Sequence, residues 1–415
     1  MSDYQLNLPD VFTILFPDGV EPLLMEDFPS FGIFEKKANF LLEQGHELNW
    51  QLDSGGGDAA TITEAEANEG PSTHKRPLIT SVDNYVSATL RRKAVLAARG
   101  DRDRIIELVD LAVKNAVRKG KRSPAIHMFR DGTGIKAQLK AAGSGVGTAT
   151  VTLANANDAK LFESGDWVQA TSDKSTLRSA GAKIKITGRS ITNGTLTAGG
   201  NWTTSIAALA DGDYLLRSGD LNNVYTGLAS WIPPSVPSIG ASFFGVNRDA
   251  LGEGAYGHRP VLASSSLLSI GIDAASYMFD VGAGAPDIWI VNGVDFGNIC
   301  KDITSLEQIV VPAIGSDKKK ADIGYEAINF HGPNGKITLL ADPLCPRGQS
   351  WMGNREEAQW WLLGGALLEQ VTEGMGDGGG FVVAGVDGWK LRFAGYGQFV
   401  ITRPWNWAYV ALPTG

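Results

Sequence analysis

The chain has 415 residues, 43% of them hydrophobic and 20% charged, with a formal net charge of −8. This is the composition of a folded globular protein with apolar material for a large core, and it argues against a disordered chain. The acidic balance speaks against a sequence-reading nucleic-acid-binding protein, which carries a strong basic excess, but not against one that merely encloses nucleic acid.

The length suggests two to four packed units. Glycine, at 51 residues, exceeds average usage, which favours turns and strands over helix. Cys300 and Cys345 form no CxxC pair, so a reducing compartment without a disulfide framework is expected. The opening MSDYQLNLPDVF lacks a basic stretch followed by an apolar run, so no signal peptide is expected. No uninterrupted apolar stretch reaches about 18 residues, so no membrane span is expected. The protein is expected to be made and kept soluble in the cytoplasm, where the sequons at Asn193 and Asn201 are idle.

Residues 1–40 carry Pro9, Pro17, Pro22 and Pro29 between short apolar pieces. That spacing blocks long helices and predicts either an extended arm lying on another surface or an irregular meander within the subunit. Residues 46–53 (HELNWQLD) alternate like a strand, and Gly55, Gly56 and Gly57 follow as a flexible tip. A second extended run passes through Leu78, Ile79, Val82 and Tyr85, so residues 41–90 read as a long hairpin. With so little core of its own, the hairpin is expected to rest on a partner surface or stay floppy.

Residues 101–121 give the clearest helix. Ile105, Leu108, Val109, Ala112, Ala116 and Val117 recur at helical spacing, acids open it, lysines close it, and Gly120 is the expected stop. Residues 145–218 hold short Thr- and Val-rich runs at 148–153, 166–171, 183–192, 195–198 and 213–217. With the hairpin signal Asn193-Gly194, they predict a small all-β barrel or sandwich. Residues 219–260 read as an irregular connection. Helices are expected over 261–283, near 294–303 and over 355–372. Strands are expected at 287–292, 337–341, 381–383, 389–393, 398–401 and 407–412. No internal repeat is found.

The sequence shows no enzyme chemistry, metal site or cofactor site. The histidines His46, His74, His127, His258 and His331 lack metal-ligand spacing, and His127 beside Met128 and Phe129 reads as packed. No GxSxG elbow is present. GPNGKI at 332–337 has two residues between its glycines where a phosphate loop needs four. Gly374, Gly376 and Gly379 satisfy GxGxxG, but follow a predicted helix where a dinucleotide site needs a strand. Glu356 and Glu357 are placed to stabilise a helix start.

One charge contrast stands out. Residues 40–74 hold seven acids and no Lys or Arg, whereas residues 89–122 hold eleven basic residues and four acids. Opposite patches on separate elements can register subunits; a merely solvated helix face is the competing reading. Trp50, Asp53, Glu64, Glu66 and Glu69 are the inter-subunit candidates. Arg118, Lys119, Lys121 and Arg122 are the candidates to face a lumen and touch DNA through its backbone.

The order of these parts resembles the major capsid proteins of tailed phages, the Hong Kong 97-type fold. AEANEGP at 65–71 and its continuation to Val86-Ser87 look like the family's E-loop, and the helix at 101–121 looks like its spine helix. FRDGTG at 129–134 is similar to the family's F-x-GDG turn. Residues 288–292 with Val294-Asp295-Phe296 resemble its strand, Asn-Pro and acidic-aromatic helix, with Gly293 in place of the usual proline. ITLLADPLCPRGQSWMG at 337–353 is the most specific match, and RPWNWAYVAL at 403–412 resembles the closing strand.

The resemblance implies an α+β fold with an inserted small all-β domain. Its parts would be an N-terminal arm (1–40), an E-loop hairpin (41–90), a peripheral domain with spine helix (91–144), the inserted β-domain (145–218), an axial domain (219–350), and a return to the peripheral domain with C-terminal strands (351–415). It implies self-assembly into the hexamers and pentamers of an icosahedral head enclosing double-stranded DNA, with portal, separate scaffolding and decoration proteins as further partners. It implies localisation to the virion after assembly in the host cytoplasm. No scaffolding segment fused ahead of the arm is expected. An encapsulin-type protein compartment is one alternative. A carbohydrate-binding or carbohydrate-active protein with a β-domain, motivated by eleven tryptophans, is the other.

Overall fold

The computed structural model describes residues 29–51, 55–72, 74–91, 102–262, 266–305, 328–333, 335–371, 381–382 and 388–413. Asp53, His331's side chain, the GxGxxG glycines and residues 1–28 of the expected arm lie outside what is described, as do the side chains of residues 102–110.

The largest element is a sheet built on one long strand, β22 (Gly388–Ile401). Strand β6 (Val82–Arg91) runs antiparallel along it, from Gly397↔Val82 to Gly388↔Arg91. Strand β19 (Ala358–Leu362) pairs with its other end, and β1 (Glu35–Lys37) adds in parallel to β19. A long helix, α3 (Arg102–His127), lies against β6 and buries Val113, Ala116 and Val117.

Gly120 does not end this helix. Seven further residues follow it, through Pro124. A Cβ at Gly120 would stand 2.8 Å from Leu368 Cδ2 and 3.0 Å from Val86 Cγ2. The missing side chain brings helix and sheet together, and is no cap.

The expected helix over 355–372 is also overturned. Residues 358–362 (AQWWL) form a strand buried along its whole length, with Trp360 and Trp361 in the core. An apolar run covered on both faces carries no alternation, so its period cannot be told from a buried helix.

Strands β7 (Ile135–Gln138), β8 (Thr150–Thr152), β9 (Trp167–Thr171), β10 (Ile184–Ser190), β11 (Thr195–Ala198) and β12 (Tyr214–Arg217) form an antiparallel sheet in the order β7-β12-β9-β10-β11-β8. Its edges meet. Leu139 bridges Leu153, Lys140 N–H donates to Thr152 O at 3.0 Å, and Ala154 N–H donates to Gln138 O at 2.8 Å. Closure removes both free edges and makes a barrel. Its interior is filled by Leu139, Val151, Val168, Ile186, Leu196 and Leu215. The barrel takes its first strand from residues ahead of 145, where the sequence pattern had placed the start of this unit.

A third sheet, in the order β16-β17-β15-β18-β23, spans Ile328–Gly332, Gly335–Asp342, Ile288–Asn292, Gln349–Gly353 and Ala408–Ala411. Helices α4 (Leu267–Asp280) and α5 (Gly293–Ser305) pack with it over a second apolar core of Ile270, Met278, Trp289, Ile299 and Met352.

The leading segment is not core-poor throughout. Phe31, Phe34, Leu41, Trp50 and Ile79 are all buried in the main core. The backbone N–H of Ser30 donates to the buried carboxylate of Asp342 at 3.2 Å. From residue 29 onward this stretch folds back onto its own chain up to the hairpin root, against the expectation of an unsatisfied arm.

Candidate subunit interface

The hairpin is real, and its two halves differ. At the root, β2 (His46–Glu47) pairs with β5 (Leu78–Ile79), and β3 (Trp50–Gln51) pairs with β4 (His74–Lys75). Leu78 N–H donates to Phe244 O at 3.0 Å. Trp50 is wholly buried, edge-on to Trp231 at 6.3 Å. Trp231 in turn packs on Phe243 and Phe244 and donates its indole N–H to Phe399 O of the central strand at 2.9 Å. Trp50 is therefore an anchor in its own chain and is removed from the inter-subunit candidates.

Beyond the Gly56↔Gly70 bridge the hairpin carries a short helix, α2 (Ile62–Ala67), capped by the Thr61 hydroxyl on Glu64 N–H. None of its residues is buried, and Ile62 is 74% exposed. A six-residue helix does not hold itself together in water, because nucleation outweighs its few hydrogen bonds. Glu64, Glu66 and Glu69 all face solvent, with no cationic partner among the described residues.

The basic candidates separate in the same way. Arg118 and Lys119 are exposed, and Lys121 is buried. Arg122 is tied down. Its guanidinium pairs with Glu163 and donates to Lys160 O. Burial lowers its pKa; Glu163 opposes this, while Arg189 and Arg118 push the same way. Lys121 and Arg122 are thus withdrawn from free contact with a lumen. For Arg122 the cause is visible only in three dimensions, because Glu163 and Lys160 of the barrel unit close over it.

Arg189 from β10, missed in the sequence, donates to Phe162 O and, at 2.8 Å, to the same Lys160 O that Arg122 uses. Arg130 completes the junction with Asp158 at 2.9 Å.

The turn after α3 is held by its own residues. Asp131 accepts from Thr133 N–H and hydroxyl, and Gly132 and Gly134 take positive φ of 79° and 86°. Behind it lies a polar cluster of the buried His127, Lys136 and Asp220, with the half-buried Arg217 at its edge. His127 Nε2 stands 3.5 Å from Asp220 Oδ2. Burial pushes the His127 pKa down and that of Lys136 to about 8.

Tryptophan is mostly structural. Trp50, Trp202, Trp231, Trp289, Trp351, Trp360 and Trp407 are fully buried, and the half-exposed Trp167 has the Lys183 ammonium 5.3 Å over its ring. Among the described tryptophans the sugar-stacking motive thereby loses most of its residues. Among the described residues no group of three or more His, Cys, Asp or Glu side chains is placed to hold a metal. None of the described helices is long and apolar enough to cross a membrane.

No protein-family model and no curated protein matches the chain. Among solved structures, it aligns with a chain of the cyanophage A-1(L) capsid asymmetric unit over 94% of its own length and 93% of that chain. The identity is 12% and the TM-score 0.50. Looser alignments are to the satellite phage P4 procapsid including size determination (Sid) protein (10% identity, 99% and 92% covered, TM-score 0.43) and to Mycobacterium phage Cain (8%, 99% and 99%, 0.40). The chain has a phage capsid fold, as the resemblance in its sequence implied.

Proposed function

We propose that this chain is the major capsid protein of a tailed double-stranded DNA phage, with the Hong Kong 97-type arrangement. In it α3 is the spine helix, residues 46–79 are the E-loop, the β15–β18 sheet with α4 and α5 is the axial domain, and the barrel is an inserted domain. The observation that carries this reading is the acidic hairpin tip. It is an ordered helix with no buried residue, standing on a root locked into the core. Such a segment gains cover only from another copy. Many weak contacts of this kind per subunit anneal during assembly, and together they make a closed shell durable.

The fold likeness to a phage capsid chain supports the same reading. Hexamers and pentamers, a portal, a separate scaffold, decoration proteins and virion localisation follow from it. Non-specific contact with packaged DNA falls to the exposed Arg118 and Lys119 among the basic candidates.

The test replaces residues 57–69 by a short Gly-Ser turn, leaving Trp50 and both strand pairs of the root intact. The expected product is a folded, soluble subunit that forms no closed shells in electron micrographs. Intact particles from this variant overturn the reading. Nucleic acid within purified wild-type particles separates a phage head from a protein-cargo compartment of the same fold.

A further inference from the structure

We infer that the polar cleft between the start of β6, the end of α3 and the chain leaving the barrel is a binding site for a small phosphate-bearing anion, held by Arg217 and the side-chain amides of Asn222 and Asn223. The inference does not depend on how copies of the chain meet, because every group it names belongs to one chain.

The cleft has a volume of about 630 Å³, within the range of small-molecule sites. It is lined by Thr80, Ser81 and the first residues of β6, by Ser123 of α3, and by residues 217–220 and 222–225 at and beyond the end of β12. Three stretches far apart in the chain thus share it. The loop after β12 is fixed by its own backbone. Asn222 N–H donates to Thr133 O and Asn223 N–H to Asp220 O, both at 3.1 Å. The two amides are therefore carried on a held backbone.

The polar groups of the cleft are unequally spent. Its carboxylates are engaged. Asp220 accepts from Arg217 Nε at 3.0 Å and Nη2 at 2.8 Å and turns its other oxygen to His127, while Asp83 accepts from the Tyr85 hydroxyl at 3.1 Å. Donors remain. Arg217 spends Nε and Nη2 on Asp220 and Ser123, which leaves Nη1 without a partner among the described residues. The side chains of Asn222 and Asn223, both exposed residues, have none there either. A guanidinium already held along one edge offers the rest of its fork to oxyanion oxygens. Charge points the same way. Burial keeps His127 neutral and lowers the pKa of Lys136 to about 8, so at neutral pH Lys136 and Arg217 stand against the single charge of Asp220. An anion beside Arg217 relieves that excess. A cation would have to compete with Arg217 for Asp220. Asp83 opposes an anion, but it is exposed and screened by solvent. A phosphate accepts hydrogen bonds on several sides, which suits donors arriving from three residues, and the volume leaves room for an organic body behind it.

The experiment uses the full-length protein. Inorganic phosphate and adenosine monophosphate are titrated separately, with sodium chloride at matched ionic strength as reference, and the melting temperature is followed. A saturable rise that chloride does not reproduce is expected. Saturation by inorganic phosphate identifies the free anion as sufficient, and saturation by the nucleotide alone identifies an organic phosphate; both support the site. Asn223→Asp places a carboxylate in the cleft at an exposed position. It should weaken binding by about tenfold or more while melting in chloride stays as in wild type. Arg217→Lys keeps the charge and loses the fork, and should weaken binding by about threefold or more. Because Arg217 also braces Asp220, Asn223→Asp decides the matter if the lysine variant fails to fold.

No saturable shift with either phosphate compound overturns the inference. So does a shift that chloride matches, or one that is equal in wild type and Asn223→Asp, since each would make the effect one of general ionic strength or of another part of the surface.

Discussion

The side-chain amide of Asn84 donates to the backbone carbonyl of Gly120 at 3.1 Å, across the contact between β6 and α3. That carbonyl is the one Pro124 leaves unpaired. In an unbroken helix it would accept the N–H four residues on, and proline has none. Asn84 is buried, so the strand repairs the helix where water cannot. This is why α3 passes through a proline and continues to His127.

Removing the donor should therefore cost more than an ordinary surface change. Asn84→Ala is expected to destabilise the subunit by about 1–3 kcal/mol, since it strands a buried carbonyl. In a Pro124→Ala background the same substitution should cost less, because the helix then supplies its own N–H. Urea titrations of the four proteins in the cycle measure the coupling. Equal costs in both backgrounds would remove the repair role.

Trp50, an inter-subunit candidate by sequence, is a buried anchor of the hairpin root. Trp50→Ala should lower subunit stability by about 3–5 kcal/mol, the range for a buried aromatic. It should do so in unassembled protein. A loss confined to assembly, with unchanged unfolding of the free subunit, would return Trp50 to the interface.

What was legible in the sequence was what local pattern determines. The five strand runs of the barrel after residue 145, the hairpin with its Gly-rich tip, and the strand-turn-strand of 337–353 all carry period-two alternation or punctuation by glycine and proline. The acids of the tip were legible as acids because nothing covers them. Long-range packing was not legible. Trp50 meets Trp231 from nearly two hundred residues away. Arg122 looks free in a run of cations until the barrel brings Glu163 and Lys160 over it. Arg189 gave no signal, because alternation with Ile184 and Ile186 made it one more wet strand residue. A Trp-rich strand buried on both faces could pass for a helix.

Gly227 sits where two backbones touch. A Cβ there would lie 2.1 Å from His127 O and 2.4 Å from Met128 O, and backbone cannot swing aside as a side-chain tip does. Gly227→Ala should cost about 3 kcal/mol or more, at or beyond the usual limit for overpacking. Gly143→Ala should be milder; it has open space around it but a φ of 67° that disfavours a side chain. Thermal melting of the two variants side by side checks the ranking. Comparable melting points would mean the 127–128 backbone shifts freely.

His127 sets an acid limit that the carboxylates do not. It is wholly buried, facing Asp220, Lys136 and Arg217. Burial depresses its pKa below the ordinary value of about 6.5. Below that value the unfolded chain takes up a proton that the folded chain refuses, so stability must fall as pH drops. The slope contributed by this one group cannot exceed about 1.4 kcal/mol per pH unit, and it ends at the folded-state pKa. Asp220 acts in a lower window. Burial raises its pKa, but His127 and Arg217 outweigh that and hold it below the usual carboxylate value, so its contribution is lost only in stronger acid. Unfolding free energies of wild type and His127→Gln, measured from pH 8 down to about 5, separate the two. The wild type should lose stability below about pH 6.5 relative to the variant; parallel curves across that interval would mean that His127 takes up its proton as readily in the folded subunit as in the unfolded chain.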